Sequence, residues 1–138
     1  MDDHRWIEIE RAEAGAFVAR NARGGELRTS GDGSASFTPV ELLLVAIAAC
    51  SAADVDAITS RRAEPDELRA RVDARKVRDA DGNILRDIEL TFSVRFPDGP
   101  DGDAARAALP RAVQTSHERS CTVSRTVEAG VPIRVLMD

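Results

Sequence analysis

From Thr38 to Ser51 the chain reads Thr-Pro-Val-Glu-Leu-Leu-Leu-Val-Ala-Ile-Ala-Ala-Cys-Ser, and no polar side chain follows Glu41 until Cys50 and Ser51. The first four residues carry a helix start. Thr38 suits the N-cap, Pro39 the first helical position, and Glu41 the place from which a capping-box carboxylate reaches back. A helix without a polar stripe has no face to give to water, so burial on nearly all sides is predicted. A cysteine in the middle of such a helix is either core filler or a reagent.

The flanking patterns supply the rest of an α+β domain. Arg5 to Glu10 alternates apolar and charged residues, Ala16 to Arg20 returns as a second strand, and Glu26 to Thr29 makes a third. Ala12–Gly15 and Asn21–Gly25 are the turns between them, and Ser30 to Ser36 is a flexible loop leading to the Thr38 cap. The central helix runs on through Val55 and Ile58 and ends by Arg61-Arg62, beyond which Pro65 forbids continuation. Leu68–Val77 and Ile84–Phe96 alternate about a turn at Asp79–Asn83, with Ile88, Leu90, Phe92, Val94 and Phe96 on one face. Asp103 then caps an alanine-rich helix to His117, which Pro110 breaks or kinks. Ser120 caps a last helix ending at Gly130, and Val131–Met137 closes as a strand. The predicted order over residues 1–138 is βββ-α-ββ-α-α-β, in one domain.

Charge and cysteine usage narrow the class. A net charge of −5, with arginines interleaved among carboxylates, leaves no basic stripe and excludes a general nucleic-acid binder. Met1 to Arg5 begins acidic and reaches no apolar run, so no secretion signal is expected. The Leu42–Cys50 run falls short of the ~20 residues that cross a bilayer. A cytoplasmic protein, with no membrane partner, is the expectation, and there its two cysteines are free thiols or a redox pair. Two small sheets and two broken helices are scant cover for so apolar a central helix. A second copy would finish the burial, which predicts a C2 homodimer.

Cys50 and Cys121 lead the candidates for chemistry. A thiol becomes a nucleophile when a helix N-terminus or a nearby cation lowers its pKa. Cys121, in the first turn of the last helix, has the former. Cys50, mid-helix among apolar residues, needs an arginine from elsewhere, with Arg11, Arg20, Arg23 and Arg28 as candidates. The alternative is that both are buried small hydrophobes. His117 stands a helical turn before Cys121, but zinc asks for three or four ligands and only His4, His117 and the two cysteines are on offer, so no metal is expected. His117 reads instead as an exposed turn residue. Glu41 completes a capping box and is also placed to hold an arginine beside Cys50.

Two segments together resemble the OsmC/Ohr family, the osmotically inducible and organic hydroperoxide resistance proteins. Pro39 to Cys50 is similar to the family's Pro-x-Glu-Leu-Leu helix ending in Ala-Ala-Cys, and Ser116 to Ser124 is similar to its second-cysteine segment. The resemblance implies an intertwined homodimer with long central helices packed against β-sheets and active sites at the dimer interface. It further implies that this protein is an antioxidant of the oxidative stress response, a peroxidase that reduces organic hydroperoxides without a cofactor. Cys50 would be oxidised to a sulfenic acid, Cys121 would resolve it as a disulfide, and a lipoamide-type dithiol would restore both. Family members hold an arginine beside the first cysteine with a carboxylate ten residues before it. That position is Val40 here, with Glu41 next to it about 100° round the helix, and Arg11 is the first choice for the arginine. A non-catalytic protein binding a small hydrophobic ligand, or a thiol redox sensor, is the competing expectation.

Overall fold

The computed structural model describes residues 3–31 and 34–137. Asp32 and Gly33 of the predicted flexible loop, with Met1, Asp2 and Asp138, lie outside the described residues. The backbone gathers into two units, residues 1–43 and 44–138.

The first unit is an antiparallel meander, β1 (Ile7–Glu13), β2 (Ala16–Asn21) and β3 (Glu26–Ser30), in the order β1-β2-β3. β1 begins and ends later than the alternation suggested, which shrinks its turn to Ala14-Gly15, with Gly15 at φ 74. Arg20 joins the three strands by ion pairs to Glu10 at 3.3 Å and Glu26 at 3.2 Å. Beyond the loop, the capping box forms as written. Glu41 Oε1 accepts from the Thr38 amide at 2.9 Å, and Thr38 Oγ1 accepts from the Glu41 amide at 3.1 Å.

That box opens α1 (Pro39–Thr59), most of which belongs to the second unit. Its buried residues are Ile47, Ser51, Val55 and Thr59, one stripe at fourfold spacing. The expectation of burial on nearly all sides is therefore not met within one chain, where Leu43 and Val45 stay exposed. Apolar character also resumes after Ser51, giving a helix of 21 residues with mean hydropathy 1.9, enough in length and composition to cross a membrane. The Leu42–Cys50 run alone underestimated it. Its one buried stripe, however, packs within the second unit, and Asp54 on the same helix accepts a hydrogen bond from Ser116 Oγ at 2.8 Å.

β4 (Glu67–Asp79) and β5 (Gly82–Arg95) form a long antiparallel hairpin. Its register shifts between Asp73 and Arg75, where Asp87 takes a φ of 53 in a bulge. Pairs such as Val72–Leu90, Ala70–Phe92 and Leu68–Val94 line up the apolar face that the alternation predicted.

The helices after the hairpin differ from expectation. α2 (Pro100–Thr115) starts three residues before Asp103, with Gly99 as its cap and Pro100 at its first position. Pro110 does not break it, because the proline sits on the exposed side and the carbonyl it orphans is left to water. A π-helical turn, Ser116–Ser120, follows without a gap, and the Cys121 amide closes it on the Ser116 carbonyl at 2.7 Å. α3 (Thr122–Ala129) then ends at Gly130, φ 65, as predicted. Residues 131–137 form no strand. A strand needs a neighbour for its ladder, and the chain gives this segment none.

Candidate functional site

The second unit brings the two cysteines together. Cys50, half-buried on α1, and Cys121, fully buried at the head of α3, are free thiols within hydrogen-bonding reach of each other. The π turn is what aims the second one. It ends the α2 helix early enough that Cys121 takes an extended conformation and becomes the N-cap of α3 itself, displacing Ser120 from the role predicted for it. Its sulfur then does what a capping oxygen does, accepting from the Ser124 amide at 3.4 Å.

The first turn of α3 serves both sulfurs, since the Val123 amide donates to Cys50. The two thiols nonetheless diverge. For Cys50, the Val123 hydrogen bond pulls the pKa down, but burial, the neighbouring Cys121 and the Asp54 carboxylate outweigh it and raise the pKa. For Cys121, burial pushes upward, and hydrogen bonds from the Ser124 hydroxyl, the Ser51 hydroxyl, the Ser124 amide and the Cys50 thiol carry it below the ordinary thiol range. The contrast read from sequence, an activated Cys121 and an unassisted Cys50, is observed. None of the groups that set the Cys50 pKa is a cation.

The arginine candidates and Glu41 belong to the first unit. Arg11 is exposed on β1, Arg20 is engaged with Glu10 and Glu26, Arg28 pairs with Glu13, and Arg23 lies at the exposed turn after β2. Glu41 is occupied as the capping-box carboxylate.

Beside the thiol pair is a cavity of about 320 Å³ whose lining includes Ile88, Leu90 and Phe92 of β5, Ile47 and Ser51 of α1 and Ser124 of α3. At its exposed side His117 Nε2 lies 3.0 Å from Glu128 Oε1. His117 is thus exposed, as expected, but it is paired and borders a cavity. Among the described residues no three His, Cys, Asp or Glu side chains converge as metal ligands. Sequence reasoning missed Ser51 and Ser124. A signal for the second was present, because a serine three residues after an N-cap occupies the reciprocal capping position.

Comparison with known proteins follows the same lines. A family model described as OsmC-like protein matches residues 31–135. An uncharacterized protein of Mycobacterium tuberculosis is 29% identical over 128 residues, covering 92% of this chain and 91% of its own. The OsmC-like protein of Mycoplasma pneumoniae superposes with a TM-score of 0.72 at 19% identity, over 93% of this chain and 89% of its own. The organic hydroperoxide resistance protein OhrB of Bacillus subtilis does so with a TM-score of 0.55 at 18% identity, over 89% and 90%. The last two show that the fold is shared.

Proposed function

This chain belongs to the OsmC-like protein family, and we propose that it is a thiol-dependent peroxidase acting on organic hydroperoxides. The observation that carries the reading is the placement of two free thiols side by side, one half-buried and approachable, the other enclosed at the head of a helix. That is the layout a two-step thiol oxidation requires. The Cys50 sulfur attacks the distal peroxide oxygen, the O–O bond breaks, and the alcohol leaves as Cys50 becomes a sulfenic acid. The Cys121 thiolate then displaces hydroxide from that sulfur to form the Cys50–Cys121 disulfide. A lipoamide-type dithiol restores both thiols by exchange. The neighbouring cavity, walled by β5 side chains, is of a size and polarity to take the hydrocarbon part of the substrate.

Arg11 is the guanidinium we assign to Cys50 once that sulfur is charged, with Glu41 as its anchor. The protein that carries out this cycle is a cytoplasmic homodimer in our reading. The same cavity supports a second reading, in which the chain binds a small hydrophobic ligand and its thiols only pack.

Turnover of cumene hydroperoxide with a dithiol as reductant separates the readings. The peroxidase is expected to turn over, to lose activity in Cys50→Ser, and to stall at an unresolved Cys50 sulfenic acid in Cys121→Ser. Arg11→Ala is expected to slow the first oxidation. A single stoichiometric oxidation of the wild type without turnover identifies a redox sensor, and thiols untouched by peroxide leave the ligand-binding reading.

A further inference from the structure

The hydroxyls around Cys121 have no role in the scheme above. Ser124 Oγ lies 3.2 Å from the Cys121 sulfur, accepting from the neutral thiol. Ser51 is 2% exposed, and its Oγ is the one buried side-chain polar atom, among the described residues, without a partner in hydrogen-bonding geometry. A buried hydroxyl left unpaired is costly unless another state of the site employs it. The acceptor within its influence is the Cys121 sulfur. Ser51 and Ser124 also line the cavity beside the thiol pair, so the same two hydroxyls separate Cys121 from it.

Resting on the peroxidase reading, we propose that Ser51 and Ser124 are positioning residues that hold Cys121 as the charged member of the thiol pair, while Cys50 keeps the proton and donates it toward Cys121. When the Cys121 sulfur is charged, the Ser124 hydroxyl turns to donate and the Ser51 hydroxyl gains its missing acceptor. With the Ser124 amide and the Cys50 thiol, that makes four donors around one sulfur. Cys121 then acts three times in one cycle. It takes the proton of Cys50 as that sulfur attacks the peroxide, returns it to the departing alkoxide, and, charged again, displaces hydroxide from the Cys50 sulfenic acid. The sum is one hydroperoxide and two thiols giving one alcohol, one water and one disulfide.

The charged groups nearby are consistent with this division. Asp54 of α1 faces Cys50 and opposes charge on that sulfur, and it is held by Ser116 of the π turn. His117 and Glu128 stand across the cavity as a pair, and α2 and β5 present to it only apolar side chains, Val113, Ile88, Leu90 and Phe92.

The test is a pH titration of thiolate ultraviolet absorbance in the reduced protein, without peroxide. The wild type is expected to form one thiolate below the ordinary thiol range. That step should survive in Cys50→Ser and vanish in Cys121→Ser. The double variant Ser51→Ala/Ser124→Ala should move it upward by on the order of one pH unit, tenfold in acidity, and Ser124→Thr, which keeps a hydroxyl, should move it less than Ser124→Ala does. A low-pH thiolate that persists in Cys121→Ser overturns the proposal, as does a folded double variant that titrates like the wild type. Should the double variant fail to fold, by circular dichroism, Cys121→Ser and the paired Ser124 variants decide alone. Because no peroxide is present, the expected titration in a protein that does not turn over hydroperoxide overturns the peroxidase and not the ionisation.

Discussion

Cys50 and Cys121 share one side-chain chemistry and one helix terminus, yet folding moves their pKa values in opposite directions. The difference is one of donors. Cys50 receives a single backbone amide and faces Asp54, whereas Cys121 receives an amide and is surrounded by hydroxyls and a thiol. That asymmetry has a thermodynamic signature in the reduced protein. Because the Cys121 pKa falls on folding, the unfolded chain holds that proton more tightly, and stability rises with pH from the native Cys121 value up to that of an ordinary thiol, about 8.5. Because the Cys50 pKa rises on folding, stability falls again as pH climbs from there through the native Cys50 value. Urea midpoints measured across this range should pass through a maximum. Cys121→Ser should remove the rising limb and Cys50→Ser the falling one, and a wild-type profile that is flat across the thiol range would contradict the assignment.

The elements that hold these sulfurs were legible in the sequence wherever local chemistry decides the backbone. Thr38-Pro39-Val40-Glu41 wrote its capping box in full, and Thr38→Ala should cost about 1 kcal/mol in chemical denaturation. The β4–β5 hairpin was legible because one face alternates without interruption, although the bulge at Asp87 was not, since any residue there would fit the same alternation. The head of α3 was placed within one residue. What escaped was the π turn, for Ser116–Ser120 has no periodicity that distinguishes five residues per turn from four, and tertiary packing chooses between them. With it went the cap, which fell to Cys121 and not Ser120, and the two serines that surround the sulfur. The partner of an arginine is likewise a tertiary fact, invisible along the chain. Gly102 shows how a close approach overrides propensity. In a helix interior Gly→Ala gains about 1 kcal/mol, but a Cβ at Gly102 would collide with the backbone carbonyl of Pro97. Gly102→Ala is therefore expected to destabilise by about 1–3 kcal/mol net, and an unchanged or raised melting temperature would count against that packing.

At the scale of the molecule, the feature that most needs an explanation is apolar surface left in water. α1 covers one stripe and leaves Val45 exposed, and the alternating segment 131–137 leaves Ile133 at 89% and Met137 at 94% exposure. The same segment has strand-like alternation and no ladder, so it lacks both a surface for its side chains and an edge for its amides. A second copy of this chain supplies both, as predicted from the apolar central helix. Magnitudes bear on how. Burying Ile133, Val135 and Met137 would contribute about 1.5–3 kcal/mol each, which only matches the lower part of the roughly 4–15 kcal/mol that association costs. The tail alone cannot hold a dimer, and the open faces of α1 must contribute. Light scattering behind size-exclusion chromatography should find the wild type dimeric at micromolar concentration. Ile133→Asp/Val135→Asp should weaken the dimer, and adding Val45→Asp should leave monomer. A wild type that elutes as monomer across that range would mean that something other than a second copy covers these faces.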